Sequence, residues 1–453
     1  MQNFSIILKS QLEGATRMDA EFYNPDVFVD FSKGNWRRVA EVLDFVQYGT
    51  SEDLNEEKNG FPTLRLNEFD GVFIENPQKY CNKISQKTAD TLLLKKNDIL
   101  ICRTNGNPKF VGKSAIVMQN NNYIFASYLF RVRAKKEIIS PASLMTYLNS
   151  KIGRSEIDRF SLTSNQTNFS PASLREINIP EFSKKIQKEI DGLVYNAHDL
   201  HENSKSLYQQ AEKLLLGELS LSDFDNIEKL SSIVNLSEIE NARRMDAEYF
   251  QPKYKIIEDR IKKCEYDFLK NIILEVPAKF DASKEPSKKF KYVELSNINS
   301  TIGTIEGHSN VFGKDAPGRA KRVLKEGDVV VSSVEGSLEK VALVSKEQAG
   351  YLAPTGFFQL RSETILPEVI LVIAKSFIFK MQLEKQCAGT ILTAVPKNAI
   401  NNIIVPILPI ETQKKISELV IAAHEARKKS KELLEEAKRK VEEMIEKGGD
   451  SND

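Results

Sequence analysis

The sequence predicts an α+β protein of two tandem mixed α/β domains, each followed by a long helix, with the two helices paired as a coiled coil. Three observations predict this fold. The chain repeats itself along its length, each copy carries short β-rich runs bounded by turn residues, and each copy ends in apolar residues spaced by three and four. The net charge of +1 over 453 residues excludes a strongly basic or acidic protein whose partner follows from charge alone.

The repeat is carried by several pairs of segments. The motif RMDAE at residues 17–21 recurs 227 residues later at 244–248, and both copies continue with two aromatic residues, a polar residue and a proline. Two further pairs match at separations of 230 and 226, namely residues 94–100 with 324–330 and residues 186–190 with 412–416. Because the separation stays near half the chain length throughout, the whole chain consists of two copies of one unit.

Each copy contains β-rich runs punctuated by Gly, Asn and Pro, which is the pattern of strands separated by turns. We expect strands within residues 98–102, 114–117 and 123–132 of the first copy, and within 328–332, 341–344 and 351–360 of the second.

Heptad periodicity predicts the long helices. Leucines recur every seven residues in the first, and Ile190, Ala197, Ser204 and Ala211 fill the other seam position. We expect the helices to pair through Leu193, Leu200, Leu207, Leu214, Ile416, Leu419, Ala423, Leu433 and Ala437. A helix of roughly 34–38 residues, about 50–57 Å long, extends beyond a small domain and needs a partner. The alternative is that each helix packs only on its own domain.

These patterns set the domain boundaries. We expect the first domain over residues 1–182, the first helix over 183–217, a linker and the second domain over 218–408, the second helix over 409–447, and a disordered tail over 448–453.

The sequence also indicates the compartment. The four cysteines, Cys81, Cys102, Cys264 and Cys387, are scattered singly, so a disulfide framework or structural zinc site is not expected. The first residues lack the pattern of a signal peptide, and the longest apolar stretch, 369–374, is far shorter than a membrane span. We therefore expect a cytoplasmic protein with no membrane partner.

No catalytic or metal site is predicted. Residues 106–114 resemble a phosphate-binding loop, but five residues separate the glycines instead of four. His198 and His201 have the spacing of metal ligands on a helix, yet the second copy has His424 with Arg427 in place of the second histidine. Asp246 of the repeated RMDAE motif, like Asp19, is expected to cap or dock a segment, because no base partner is visible.

The duplicated organisation of the chain suggests that it binds DNA. Two similar units joined by a helix pair have pseudo-two-fold symmetry, and duplex DNA has the same backbone symmetry. Paired modules on a rigid spacer can read two half-sites at a fixed separation. The mixed regions of the two copies are not identical, so they would read different sequences.

Several motifs then give a specific resemblance. They are the paired RMDAE segments, the run LKEGDVVV at 324–331, and Gly389-Thr390 upstream of the proline-punctuated segment 404–416 with its Gln-x-x-Ile helix start. The chain resembles, over nearly its whole length, the specificity subunit of a type I restriction-modification system. The first copy departs at residues 179–183, although Gln187 and Ile190 are kept.

The resemblance implies that the chain is non-catalytic. It implies two target-recognition domains that each bind one half of a bipartite double-stranded DNA site, and an antiparallel helix pair that sets the gap and docks two methyltransferase subunits. S-adenosylmethionine, ATP and Mg are then expected on partner subunits, including a possible motor-nuclease, and no cofactor on this chain. The alternative is a tandem coiled-coil scaffold protein with no nucleic-acid role.

Base reading needs polar side chains on loops that reach the major groove. In the first copy we expect Arg65, Asn67, Arg103, Asn105, Lys109, Lys113, Asn165 and Gln166. In the second copy we expect Glu294, Ser296, Asn297, Arg319, Arg322, Ser333, Glu335 and Lys340. Ser333 and Glu335 match Arg103 and Asn105 in position, which suits domains that read different sequences. For each residue the alternative is an ordinary polar group of a loop.

Overall fold

The computed structural model of the chain describes residues 31, 34–161, 167–221, 233–388 and 393–448. Contacts divide the chain into two compact units, the first from residues 1–200 and 429–453 and the second from 201–428. Each unit therefore contains one mixed domain and a segment of both long helices. The predicted α+β class is confirmed.

The domain of the first unit contains thirteen described strands. They are β1 (Trp36–Arg38), β2 (Leu43–Tyr48), β3 (Phe61–Leu64), β4 (Phe69–Asp70), β5 (Phe73–Ile74), β6 (Lys79–Cys81), β7 (Ile99–Cys102), β8 (Thr104–Asn105), β9 (Ser114–Ile116), β10 (Ile124–Phe125), β11 (Leu129–Ala134), β12 (Thr167–Asn168) and β13 (Asn178–Pro180). The main sheet has the order β2-β11-β7-β9, and a second sheet has the order β10-β3-β6.

Five helices of this domain precede the first long helix. They are α1 (Val39–Val42), α2 (Gln86–Leu92), α3 (Pro141–Asn149), α4 (Lys151–Phe160) and α5 (Pro171–Glu176), followed by the long helix α6 (Lys184–Glu218). Ser140 caps α3 through its side chain and Pro141 occupies the first turn, a combination that favours a helix start. Residues 141–148 of α3 are all buried, so this helix forms the centre of the core.

The second unit repeats the plan. Its helices are α7 (Leu236–Ala242), α8 (Pro252–Ile261), α9 (Leu269–Ile272), α10 (Pro367–Lys375), α11 (Phe377–Gln386) and the long helix α12 (Ile410–Glu446). Its strands are β14 (Tyr266–Phe268), β15 (Leu274–Glu275), β16 (Lys289–Tyr292), β17 (Ile298–Asn299), β18 (Thr304–Ile305), β19 (Ser309–Phe312), β20 (Arg322–Val323), β21 (Val329–Ser332), β22 (Val341–Leu343), β23 (Leu352–Ala353), β24 (Phe357–Arg361) and β25 (Ile404–Pro406).

The two main sheets share one strand order. In the second unit β15-β24-β21-β22 corresponds to β2-β11-β7-β9 of the first, and β18 and β17 extend that sheet. In both, the central strands β7 and β21 are buried along their whole length, which is why their sequences are continuous apolar runs.

The predicted third run of each copy is two strands in different sheets. Residues 123–132 divide into β10 and β11, and residues 351–360 divide into β23 and β24. The amide of Leu129 bonds to the carbonyl of Ala126 at 2.9 Å, and the amide of Phe357 bonds to that of Pro354 at 3.2 Å. A tight turn therefore interrupts each run and moves the chain from one sheet to the next.

The long helices begin and end within one residue of the predicted bounds. Within the first unit, the Ser430 hydroxyl donates to the carbonyl of Ala197 at 2.6 Å and Lys440 pairs with Glu189 at 2.7 Å. Within the second, the Thr412 hydroxyl donates to Glu218 at 2.8 Å. Residue numbers rise along α6 as they fall along α12 in both units, so the paired segments are antiparallel.

The leucine line, meaning the leucines predicted to pair the helices, lies beside the residues that are fully buried. Ile416, Ala423 and Ala437 are fully buried, as are Ile190, Ala197, Ser204 and Ala211. Leu193, Leu200, Leu207, Leu214, Leu419 and Leu433 are only half-buried. The buried residues of the other seam position lie one residue after the leucine line. They are Gln187, Val194, His201, Tyr208 and Leu215 in α6, and Gln413, Val420, Arg427 and Val441 in α12. Five of the six leucines border the core of a unit instead, and Leu200 is the exception.

The Gln-x-x-Ile motif has a structural role in both copies. The amide of Gln187 donates to the carbonyls of Ile138 at 3.0 Å and Phe182 at 2.9 Å, and its oxygen accepts from the Ser140 amide at 2.9 Å. Gln413 likewise donates to Leu408 at 3.0 Å. Each glutamine thus joins the start of a long helix to backbone groups of its own domain that would otherwise lack partners.

In the part of the chain that the structure describes, no helix combines the length and apolar character needed to cross a membrane.

Candidate nucleic-acid interface

A buried carboxylate fixes the main sheet of each domain. Asp98, at the start of β7, pairs with Arg131 at 3.1 Å and with Arg133 at 2.6 Å, and both Asp98 and Arg131 side chains are 2% exposed. Burial lowers the pKa of Arg131, and the nearby Asp98 opposes this shift. Asn97, immediately before the aspartate, has a positive φ of 77°, so the recurring sequence before β7 is a tight turn that inserts the carboxylate into the core.

The second domain keeps the carboxylate and changes its partners. Asp328 precedes β21, accepts from Gln359 at 2.6 Å and pairs with Arg361 at 2.6 Å. Gly327 takes the left-handed conformation of the turn, with φ 81°. A neutral glutamine therefore occupies the position of the buried Arg131. The aspartate of the repeated LKxxD segment therefore contacts the main sheet of its own domain in both copies.

The end of the first main sheet carries two exposed tyrosines and a half-buried arginine. Tyr48 ends β2, Arg103 follows β7 and Tyr128 precedes β11. The Arg103 amide donates to the carbonyl of Tyr128 at 2.7 Å, which places these two residues side by side. The Arg103 guanidinium carbon lies 4.9 Å from the centre of the Tyr48 ring. Tyr48 is 45% exposed and Tyr128 is 56% exposed.

The loop after Arg103 adds polar groups. Thr104 and Asn105 form β8, which pairs with β12, and the Asn105 side chain accepts from the Asn107 amide at 2.8 Å. Lys109 is exposed. Lys113 is exposed as well, with its ammonium 4.3 Å from the centre of the Phe110 ring. The predicted loop thus emerges where expected, and its amide and ammonium groups lie near the surface.

The corresponding sheet end of the second domain presents fewer exposed polar side chains. Ser333 donates from its amide and its hydroxyl to the carbonyl of Gly356, both at 2.9 Å, and is buried. Glu335 is exposed, and its amide donates to the carbonyl of Thr393 at 3.0 Å. Lys340 is half-buried and donates to the carbonyl of Ile298 at 3.2 Å. Of these three, Glu335 alone is fully at the surface.

A second pair of equivalent positions precedes short 3-10 turns in both domains. Arg65 precedes the turn Leu66–Glu68 and pairs with the buried Glu68 at 2.9 Å, while Asn67 is exposed. Glu294 precedes the turn Leu295–Asn297. Arg65 is therefore tied to a neighbouring carboxylate, which leaves Asn67 as the available group of the pair.

In the second domain a glutamate, not an arginine, precedes this turn. Glu294 pairs with Arg319 at 2.9 Å, and Arg319 also donates to the Tyr292 hydroxyl at 3.3 Å, so these contacts raise the pKa of Arg319. Asn297 accepts from the Glu294 amide at 2.8 Å, and Ser296 is exposed. Arg319 itself has a side chain that is 62% exposed. The charges at this turn therefore differ between the domains.

Arg322 is a correction to the predicted set. Its side chain is 2% exposed and pairs with Glu275 at 2.7 Å. A second nitrogen of the guanidinium donates to the carbonyl of Val276. Arg322 therefore joins β20 to β15 and to the residue that follows it, and its guanidinium is not at the surface. Asn165 and Gln166 lie outside the described residues, as do the first RMDAE copy and Gly389-Thr390.

The second RMDAE copy closes the end of α11. Arg244 pairs with Asp246 at 2.7 Å and donates to the carbonyls of Lys385 at 3.3 Å and Cys387 at 3.1 Å. Asp246 also accepts from the Tyr249 amide at 3.2 Å, and its pKa is lowered chiefly by the bond from Arg244. These contacts agree with the expected capping and docking role of the motif.

His201, one of the two histidines with the spacing of metal ligands, contacts the other long helix. His201 is 1% exposed, and its Nδ1 bonds to the guanidinium of Arg427, the residue at the matching position of the other long helix. Arg427 also donates to Glu306 at 3.0 Å. The second copy has Arg427 in place of a second histidine, and this arginine pairs with His201 across the two helices within the second unit.

Sequence reasoning missed Tyr48 and Tyr128. Both are aromatic residues at strand ends, next to Gly49 and to a serine, and such exposed positions carry no periodic signal. The second copy also carries lysines at the surface: Lys284, Lys288, Lys289, Lys291, Lys314 and Lys321 are all exposed. These ammonium groups could meet phosphates, which fix orientation without reading sequence.

The described structure is that of a duplicated two-domain protein whose equivalent sheet ends display different side chains. No protein-family model matches the chain. The chain is similar to the specificity subunit of the type I restriction enzyme MjaVIII from Methanocaldococcus jannaschii, with 22% identity over 90% of this chain and 91% of the relative. It is also 22% identical to the putative MjaX specificity subunit of that organism, over 94% of this chain and 97% of the relative. The resemblance drawn from the sequence motifs is confirmed.

Solved structures also align with most of the length of this chain. The type I S subunit from M. genitalium is 14% identical with a TM-score of 0.40, and the alignment covers 94% of this chain and 99% of that one. The HsdS subunit from Thermoanaerobacter tengcongensis is 12% identical with a TM-score of 0.30, over 92% of this chain and 97% of that one.

Proposed function

We propose that this chain is the non-catalytic DNA-specificity subunit of a type I restriction-modification complex in the cytoplasm. Similarity to curated specificity subunits over at least 90% of this chain carries the proposal. Each domain would read one half of a bipartite, asymmetric site. The antiparallel helices would set the gap and dock two methyltransferase subunits, and a motor-nuclease subunit could join them.

The chemistry would belong to the partners. S-adenosylmethionine is expected on the methyltransferase subunits, and ATP and Mg on the motor-nuclease. This chain would supply the base contacts, from the half-buried Arg103 and Asn105 and the exposed Lys109 in the first domain, and from the exposed Glu335 and Arg319 in the second. Unlike residues at matched positions suit two different half-site sequences.

Charge bears on how tightly the isolated chain binds. Phosphate contacts dominate the affinity of most DNA-binding proteins, and the net charge here is only +1. We therefore expect weak DNA binding by the chain alone and strong, site-specific binding by the complex. Nanomolar site-specific binding by the isolated chain at physiological salt would contradict this expectation.

The test is co-expression with the methyltransferase encoded beside it, followed by sequencing of methylated bases in the host DNA. A bipartite methylated motif with a fixed gap, lost when this chain is omitted, supports the proposal. Removing one heptad from both helices should shorten the gap by up to about three base pairs, since seven helical residues span about 10 Å. No complex and no new methylation would instead favour the scaffold alternative.

A further inference from the structure

Tyr48, Arg103 and Tyr128 form one surface at the end of the first main sheet. Tyr48 lies opposite Phe130 in the ladder between β2 and β11, and Leu129 lies opposite Cys102 in the ladder between β11 and β7. The next residues along these strands are Tyr128 and Arg103, which share a backbone hydrogen bond of 2.7 Å. We call these three side chains the Tyr–Arg–Tyr cluster.

The cluster places the Arg103 guanidinium against the Tyr48 ring. Its guanidinium carbon lies 4.9 Å from the centre of the Tyr48 ring, within the range of a cation–π contact. Stacking uses the face of a guanidinium, whereas hydrogen bonding uses its edge, so a stacked arginine keeps donors for a ligand. Among the described residues, its buried Nε has no hydrogen-bond partner. The Nε atoms of Arg65 and Arg131 in the same domain also lack a partner, but other nitrogens of those two guanidinium groups are paired with carboxylates.

The fold does not need this cluster. The second domain builds the same strand order and the same backbone bond, from Ser333 to Gly356 at 2.9 Å, without these side chains. Extending the ladder between β15 and β24, in which Glu275 lies opposite Leu360, brings Pro277 to the position of Tyr48. Proline, serine and glycine thus replace Tyr48, Arg103 and Tyr128. Exposed tyrosines stacked with arginine are typical of recognition surfaces, not of cores.

We propose that the Tyr–Arg–Tyr cluster reads a guanine in the half-site of the first domain. Arg103 would donate two hydrogen bonds to O6 and N7 of the base in the major groove, the commonest arginine contact to a specific base. Tyr48 is a positioning residue that holds the guanidinium plane, and Tyr128 packs against the neighbouring nucleotide. The second domain, with a serine at this position, would not make that contact. This inference rests on the proposed function.

The experiment uses the complex with the methyltransferase subunits and compares methylated motifs from sequencing. Arg103→Ala should lower the preference for guanine at one position of one half-site by roughly 10- to 100-fold and leave the other half-site unchanged. Arg103→Gln should move that preference toward adenine, because an amide matches adenine N6 and N7. Ser333→Ala is the matched control in the second domain and should leave the first half-site unaltered.

Tyr48 is tested by its own pair of variants. Tyr48→Ala should weaken the guanine preference, since the stacking ring is lost, whereas Tyr48→Phe keeps the ring and should restore it. An unchanged motif in the Arg103→Ala complex overturns the inference, and so does a uniform loss of methylation at all sequences, which would make Arg103 a phosphate contact. If the unaltered complex produces no bipartite motif, the proposed function fails and the inference fails with it.

Discussion

The buried ion pair at the start of β7 allows a quantitative test of what stabilises the first domain. Asp98→Asn keeps the shape of the side chain and removes its charge. Arg131, whose side chain is 2% exposed, is then a buried cation without a counter-charge. Arg133 is affected less because its side chain is 31% exposed and water can solvate it.

The magnitude follows from the contacts that remain. Removing one partner of a buried ion pair costs about 3–5 kcal/mol. Arg131 would still donate to the carbonyls of Leu93 at 2.7 Å and Thr91 at 2.8 Å. We therefore expect a loss near the lower limit, about 3 kcal/mol of the free energy of unfolding.

The second domain provides the matched control. Asp328→Asn leaves no buried cation, because Gln359 is neutral and the Arg361 side chain is 32% exposed. The expected loss is about 1.5 kcal/mol, the lower limit for a hydrogen bond to a charged group. The double variant Asp98→Asn/Arg131→Gln reproduces this neutral arrangement in the first domain and should recover about 1.5 kcal/mol or more relative to Asp98→Asn alone.

The assay uses the single tryptophan of the chain. Trp36 lies in the first unit, so its fluorescence during urea unfolding reports that unit, whereas far-UV circular dichroism reports both. Asp98→Asn should shift the fluorescence transition, and Asp328→Asn only the dichroism. Equal losses in the two single variants, or a double variant no more stable than Asp98→Asn, would refute the buried-cation reasoning.

Three further predictions concern single side chains. Burial lowers the pKa of Lys375 to about 8. Between pH 8 and about pH 10.5 the unfolded chain therefore binds more protons than the folded chain, so the free energy of unfolding should rise by about 3 kcal/mol over that range. Urea titrations of Lys375→Met should show no such rise. Burial also lowers the pKa of His424, so the unfolded chain binds more protons than the folded chain as the pH falls through about 6.5. Stability should therefore decrease on acidification, and a thermal-unfolding series should show a smaller decrease for His424→Gln. Gln187→Leu leaves three backbone groups unpaired and should cost about 2–3 kcal/mol in the fluorescence transition, with the dichroism of the second unit unmoved if the reasoning holds.

Much of the architecture could be predicted because it follows from local patterns in the sequence. The repeat of motifs required two similar domains, and heptad spacing placed both long helices within one residue of their ends. The continuous apolar runs of β7 and β21 identified the central strands. Arg103 and Asn105 follow a buried strand in the sequence, which was enough to place them at the end of a sheet.

The rest depended on contacts between residues far apart in the chain. Heptad spacing fits either of two adjacent lines, and only packing against the domains decided that Val194 is fully buried while Leu193 is half-buried. Arg322 and Arg103 look alike in the sequence, yet one pairs with Glu275, 47 residues away, and the other stacks on Tyr48 at the surface. The duplication, the helices and the central strands were predictable, because these features follow from residues close together in the chain. Which charged groups are buried and which lie at the surface was not, because burial depends on partners that the local sequence does not specify.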